Sequence, residues 1–473
     1  MKEIIKKQGE TVILGSGISG LYTGYRLAEK GGCSVTLLEK TGSSGGMAKS
    51  FKYGEHTLDF GPHKIYSVLP GIMDEYQRIM DNALLTVKKT NSIFLQGKRI
   101  EFPIKPFALI TQIRIRTLFL SGVGFCIASI ENIFRKRKIQ TYEDYFVNGF
   151  GVYAYNLIFR DLALKVWGDP KLLTEELARK RVPVPNIFRL VGSIFSAKPK
   201  MSAKEFLYPK NGFGSVAETL SKKIKNLKGT VHLQSIPTRI VLKKNHVESV
   251  TYKKNEKTII IKNPERVIST IHILDLLNMI TPRPPKEIFE ASGLLQFRGL
   301  MLIYLFFDQE RVLKENWIFF PEKKFIFNRV SEPKLSSSHV SPEGKTYIIA
   351  EVTLDSSNPL YENEKEVVER VITDLEKSNI LHRSMIVDFI VKKARRIYPV
   401  YDLEYRKNLG IVMDYVDTIH NLYSIGRPGL FNYNNTDHCI DTGMKLADCI
   451  LSEGSKKDWK KSRESFDQYS IVD

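Results

Sequence analysis

The stretch "TVILGSGISGLYTGYRLAEKGGCSVTLLEK", Thr11 to Lys40, decides how the rest of the chain is read. Its opening "TVILG" is an apolar run that predicts a buried strand. "ISGLYTGYRLAEKG" has helical spacing and stops at Gly31 and Gly32, and "SVTLLEK" predicts a second buried strand. Three glycines sit where the first strand gives way to the helix. Gly15 permits a tight turn, Gly17 lets main-chain N–H groups approach a pyrophosphate, and Gly20 lets the helix pack closely on the sheet. The helix N-terminus, at Ser19, adds partial positive charge at the same place. Glu39 follows Gly20 by 19 positions, where an acid can accept hydrogen bonds from an adenosine ribose. A lone glycine pattern is weak evidence. Here it follows a strand, opens a helix and carries the acid at the right distance, which predicts dinucleotide binding. An acid rather than a base there argues against a ribose 2′-phosphate.

Working outward, 473 residues exceed one ordinary core, so two or three packed units are expected. The net charge is +19, from 71 Lys and Arg against 52 Asp and Glu. That excess favours anionic partners such as nucleotides, diphosphates or acidic headgroups, and a solvated Lys-rich surface is the alternative. The basic residues are scattered and form no aromatic-interleaved module, which argues against nucleic acid. Cys33, Cys126, Cys439 and Cys449 lie far apart with no C-x-x-C pair, so neither zinc nor a disulfide framework is expected, and no metal site is assigned. This usage fits a cytoplasmic setting, as does the absence of a signal-peptide pattern in "MKEIIKKQGE".

"TLFLSGVGFCIASI", Thr117 to Ile130, is uncharged for 14 residues, between Arg114 and Arg116 on one side and "RKRK", 135–138, on the other. A spanning helix needs roughly 20 apolar residues. The segment is read first as a buried core helix; the alternative is peripheral contact with the cytoplasmic membrane face, basic residues on headgroups. Residues 80–200 read as helical, and 231–270 as a meander of short strands. "GLMLIYLFF" and "TYIIAEVTL" predict strands of a second sheet, "EKEVVERVITDLEKS" an amphipathic helix, and 423–451 a strand, a glycine turn and a closing helix.

NAD and FAD use the same corner, and the next residues separate them. "KTGSSGGMAKS", Lys40 to Ser50, resembles the glycine-pair element of the FAD-binding amine oxidase superfamily, which includes protoporphyrinogen oxidases and UDP-galactopyranose mutases; Met47 stands where many members have arginine. "LDFGPHKIYS" is similar to the family segment beneath the flavin ring, with Tyr66 in place of a second histidine. "LALKVWGDP", "YPKNGFGSVAETL" and "YSIGRPGLFNYNNTDHCIDTGMKLADCI" resemble further mutase-like elements.

The resemblance implies an α/β chain with a discontinuous Rossmann-like FAD-binding domain of the GR2 type, from 1–75, 205–275 and 395–473. An interleaved α+β substrate domain would comprise 76–204 and 276–394. It implies FAD held by Gly15, Gly17, Ser19, Gly20, Glu39, Lys40, Gly45, Gly46, Met47, Gly61, Pro62, Gly426, Asn435 and Asp437. His63, Tyr66 and Arg427 are the implied catalytic residues, and Trp167, Tyr433, Arg395 and Arg396 the substrate candidates. The bland readings stay open: His63 as a turn histidine, Arg427 as an ion-pair partner, Tyr433 as core. Two chemistries follow. The first is oxidoreduction, with hydride passing from a substrate C–H to flavin N5, the hard step being the cofactor's. The second is a mutase-like isomerisation of a sugar nucleotide through reduced FAD, without net redox. A non-catalytic dinucleotide-binding protein is the third. Agreement is weak over 80–150, so the small-molecule substrate is left as nucleotide-sugar, porphyrin-like or lipid-like.

Overall fold

In the computed structural model, which describes residues 2–5, 9–102, 114–134, 138–181 and 204–471, strand Glu10–Leu14 is buried along its whole length. It is the middle of a five-stranded sheet in the order Thr230–His232, Ser34–Leu38, Glu10–Leu14, Arg266–Ser269, Leu422–Ser424, every pair parallel. A parallel sheet needs cover on its faces, which is why these strands are apolar runs. Helix Ile18–Gly31 supplies part of it. Gly24 brings its backbone so near the sheet that a Cβ there would lie 3.1 Å from Ile13 and 3.2 Å from Leu37. Gly32, with φ +57°, ends the helix in the left-handed conformation that glycine adopts most easily. The closing helix Thr436–Leu451 packs on the opening one, with Gly443 against Thr23 and Arg26 bidentate to Asp448 at 2.8 Å twice.

The meander read over 231–270 is narrower: Ser235–Lys243, His246–Lys254 and Lys257–Lys262 are antiparallel, while Thr230–His232 and Arg266–Ser269 belong to the parallel first sheet. Lys2–Ile5 and Ile280–Thr281 add parallel strands at the two edges of the meander. The second sheet has seven strands, in the order Asp388–Pro399, Phe297–Phe307, Thr346–Leu354, Arg329–Ser331, Trp317–Phe319, Asn91–Leu95, Lys98–Phe102. Its two central strands pair in antiparallel register from Gly299 with Leu354 to Phe307 with Thr346. Alternation sorts their side chains to two cores. Met301, Ile303, Leu305, Ile348, Ala350 and Val352 meet helix Glu364–Lys377 through Val367, Val371 and Leu375. Leu302, Tyr304, Phe306 and Tyr347 face the main core, where the Tyr304 and Tyr347 hydroxyls donate to the carbonyls of Asp59 and Thr57. The second sheet is thereby fixed against strand His56–Asp59, which pairs with Ser50–Tyr53 in a separate hairpin. Strand Asp388–Pro399 runs through position 395, where its register against Phe297–Phe307 shifts between Ala394 and Tyr398.

Two further expectations are corrected. Residues 80–200 are not uniformly helical: Leu84–Lys88, Asn91–Leu95 and Lys98–Phe102 are strands. The last two form a hairpin about Gln96 and Gly97, both at positive φ, a two-residue turn whose twist matches that of the strands. The segment read as a buried core helix is helix Ile115–Phe134, and Ile115, Phe119, Val123, Ile127 and Ile130 on it are exposed. Its packing face is built instead from small residues: Thr117 and Ala128 are buried, and Gly124 touches Gly151 of helix Tyr142–Ala154 backbone to backbone.

Candidate functional site

The amino-terminal turn divides its glycines between two jobs. Gly15 has φ +94°, and a Cβ there would sit 2.5 Å from Thr270 Oγ1; a Cβ on Gly20 would sit 2.4 Å from the Gly15 carbonyl oxygen. Both are demanded by packing. Gly17 has ordinary extended backbone, φ −67° and ψ 172°, and a Cβ there would meet nothing within 4 Å. Here the chain leaves open space at a helix N-terminus, which is where a pyrophosphate fits. The glycine pair closes the other wall. Gly45 donates to the Ser16 carbonyl at 2.8 Å, and a Cβ on Gly46 would stand 3.4 Å from Gly17 Cα. Met47 is half-buried against the core.

Glu39 accepts from Ser16 N at 3.0 Å, Ser16 Oγ at 2.9 Å, Thr41 N at 2.9 Å and Thr41 Oγ1 at 2.8 Å. The two amides fix the carboxylate, while the two hydroxyls can rotate away when a ribose hydroxyl offers a replacement donor. Lys40 is exposed beside it. Ser19 packs against Gly426, which has φ +76°. Asn435 precedes the closing helix and donates its amide to His438 Nδ1 at 3.0 Å; Asp437, in the first turn, accepts from Ser67 Oγ at 2.8 Å.

From strand His56–Asp59 of the hairpin with Ser50–Tyr53, the chain runs into the loop ending at His63. Asp59 is buried and accepts from Ser50 Oγ at 2.5 Å, Tyr208 Oη at 2.5 Å and Phe213 N at 3.0 Å. Burial raises its carboxyl to about 6 against the pull of these donors. Gly61 takes φ +94° with Glu351 beside it, and Pro62 leads into His63. The His63 ring stacks on Phe213 with centroids 4.7 Å apart, and its buried Nδ1 has no hydrogen bond. Burial, reinforced by the charges of Arg329 and Arg427, lowers His63 to about 4. It is therefore neutral at ordinary pH. Tyr66 is half-buried with the Lys64 ammonium 6.0 Å from its ring centroid.

Arg427 lies across this loop. Its guanidinium stands 5.1 Å from the Tyr398 ring centroid and 4.6 Å from that of Tyr433; Nε donates to the Ile397 carbonyl and Nη1 to that of Asn434, both at 3.2 Å. Nη2 is buried and unpartnered, and among the described residues no carboxylate pairs with this arginine. Tyr433 and Tyr398 stack in parallel, 5.6 Å apart. Trp167 Nε1 donates to the Tyr433 hydroxyl at 3.3 Å, and Arg181 covers both rings at 5.2 and 4.9 Å.

His63, Arg427, Trp167 and Tyr433 thus converge. Arg395 and Arg396 lead elsewhere: Arg395 is exposed and paired with Glu362 at 2.7 Å, and Arg396 pairs with Asp275 at 2.7 and 2.9 Å. Four neighbours escape the sequence reading: Arg181, Tyr398, and the pair formed by Arg329 with buried Glu351 at 2.6 and 2.9 Å. Glu351 had a signal, being the lone acid in the apolar strand "TYIIAEVTL".

Residues 13–81 match the family model for an NAD(P)-binding Rossmann-like domain. No curated protein matches the sequence significantly. Among solved structures, the chain resembles a reduced UDP-galactopyranose mutase with TM-score 0.82 at 19% identity, over 98% of this chain and 96% of that one. It resembles a protein assigned as a protoporphyrinogen oxidase from Exiguobacterium sp. 255-15 with TM-score 0.73 at 15% identity, over 95% and 100%. Putrescine oxidase bound to putrescine gives 0.63 at 14%, over 95% and 100%. The chain therefore carries the fold shared by UDP-galactopyranose mutase and putrescine oxidase, around a Rossmann-like dinucleotide corner.

Proposed function

We propose that the chain is an FAD-dependent enzyme whose substrate is an anionic small molecule of the sugar-nucleotide type, and that it acts as an isomerase with the flavin reduced. One observation carries this reading. Arg427 has a buried Nη2 with no hydrogen-bond partner, and among the described residues no carboxylate pairs with it, so an arriving anion would satisfy that donor. A diphosphate offers the paired oxygens that a guanidinium fork prefers. A cationic amine does not supply that charge.

The open space at Gly17, the Gly45–Gly46 wall and the fixed Glu39 carboxylate suit the pyrophosphate and ribose of FAD, with Gly426, Asn435 and Asp437 on the carboxyl-terminal side. Reduced FAD, when bound, supplies a nucleophilic N5 to a sugar anomeric carbon. The protein's part is orientation. Arg427 holds the anion, Tyr398, Tyr433 and Trp167 wall out water, and neutral His63 offers a ring beside the reacting groups without adding a charge. Glu351 neutralises Arg329, so it is Arg427 that keeps positive charge for a ligand.

The test is anaerobic: reduce the purified yellow protein, add UDP-hexopyranose, and look for the furanose while the flavin stays reduced. Bleaching of oxidised flavin by a reduced organic substrate, with no furanose under any condition, overturns isomerisation. It would support oxidoreduction, the second reading, which the likeness to putrescine oxidase over nearly the whole chain favours.

A further inference from the structure

Helix Ile115–Phe134 presents to solvent a stripe that nothing in the flavin reading uses. Ile115, Phe119, Val123, Ile127 and Ile130 recur every three or four residues and are between 40% and 83% exposed. Val152, on the helix that supports this one, is 58% exposed as well. On a soluble surface single apolar residues are ordinary, but a continuous stripe over four turns marks a contact. The opposite face is already satisfied. Thr117 receives a hydrogen bond from Gln96 Nε2 at 3.0 Å, Ala128 is buried, and Gly124 lies against Gly151. The stripe is thus held outward by packing behind it, and rotation cannot bury it.

Charge selects the occupant. Arg114 and Arg116 are exposed at one end of the helix, Lys138 is exposed beyond the other, and the sequence between 135 and 137 reads Arg-Lys-Arg. From Thr117 to Ile130 there is no charge at all. Apolar side chains between two clusters of cations are what a leaflet of anionic lipid complements, tails meeting the stripe and headgroups meeting the guanidiniums. No described helix is long and apolar enough to cross a membrane, so the contact is made along the surface. We propose that this helix docks the protein in the plane of an anionic lipid bilayer, through Phe119, Val123, Ile127 and Ile130 inserted beneath the headgroups and Arg114, Arg116 and Lys138 upon them. The inference is independent of the flavin chemistry.

Sedimentation with vesicles tests it. The full-length protein should pellet with phosphatidylcholine vesicles containing phosphatidylglycerol and bind pure phosphatidylcholine at least roughly tenfold more weakly. Phe119→Asp with Ile127→Asp should lower binding to the anionic vesicles by about tenfold or more, since both apolar insertions are lost. Circular dichroism should be unchanged, because both positions are exposed. In a Phe119→Trp variant, the tryptophan emission that exceeds wild type should shift to the blue on adding the anionic vesicles. Equal pelleting by the double Asp variant, or no such shift in the Phe119→Trp variant, overturns the proposal. So does a dimer in size-exclusion chromatography that the double Asp variant dissociates, which would assign the stripe to a second copy of the chain.

Discussion

The dinucleotide corner and the arginine–tyrosine cage face the same interior but are built by opposite means. The corner is made of main chain. Its open space lies at Gly17 beside Gly45 and Gly46, Gly15 and Gly20 serve the packing behind it, and all lie within about thirty residues of one another along the sequence. The cage is made of side chains. His63, Trp167, Arg181, Arg329, Tyr398, Arg427 and Tyr433 come from segments spread from one end of the chain to the other. Recognition by backbone demands absent side chains, so it writes a pattern of glycines at fixed spacing. Recognition by side chains requires only that the fold bring them together.

The sharpest way to break this contrast is at Gly17. Its backbone conformation and the empty space around it accommodate valine without strain, so Gly17→Val should leave the melting temperature within a few degrees while abolishing bound FAD, read as loss of visible absorbance. A Gly17→Val protein that keeps stoichiometric FAD would sink the assignment of this corner. In the cage, Arg427→Ala removes the cation, and kcat/KM for a diphosphate substrate should fall about a thousandfold, in the range for losing one partner of a buried charged pair.

The third prediction concerns proton binding. His63 is held at about 4, against about 6.5 in the unfolded chain, so its contribution to stability is complete above pH 6.5 and is lost as pH falls toward 4, by about 3 kcal/mol. Asp59, raised to about 6, acts oppositely: it favours the folded state below about pH 4 and loses that contribution as pH rises to 6. The two oppose each other in wild type. The difference in unfolding free energy between wild type and His63→Gln isolates the histidine, and it should be flat above pH 7 and slope below; a flat difference down to pH 4 would mean that His63 is exposed to solvent. Smallest of all, Arg395→Ala should change stability by less than about 0.5 kcal/mol and leave kcat/KM alone, because its pair with Glu362 is a surface one.

The same contrast separates what can be read in advance from what cannot. The corner, the meander, the two central strands of the second sheet and the closing helix follow from spacing alone, because their periodicities are strong. The hairpin at 91–102 escapes the sequence reading, although Gln96–Gly97 between two short apolar runs is a turn signal. Helix Ile115–Phe134 is recognisable by its apolarity but belongs outside rather than inside, because hydrophobicity does not say which face finds a neighbour. Small residues win the closest packing and leave one stripe of large ones exposed. Arg395 and Arg396 look like phosphate donors in "KKARRIYPVYD", yet successive residues of a strand point to opposite faces, and each meets a carboxylate supplied by a distant segment. No local pattern records Glu362 or Asp275 as neighbours.

The order of strands in the first sheet has a further consequence for biosynthesis. Glu10–Leu14 leaves the ribosome early, but its neighbour Arg266–Ser269 follows some 250 residues later, and Leu422–Ser424 and the helix that leans on Ile18–Gly31 come almost last. The apolar edge of a half-built sheet must therefore wait, unpaired, through most of translation. A nascent chain arrested before residue 420 should be a customer for chaperones, and the dinucleotide corner should be complete only on release of the finished polypeptide.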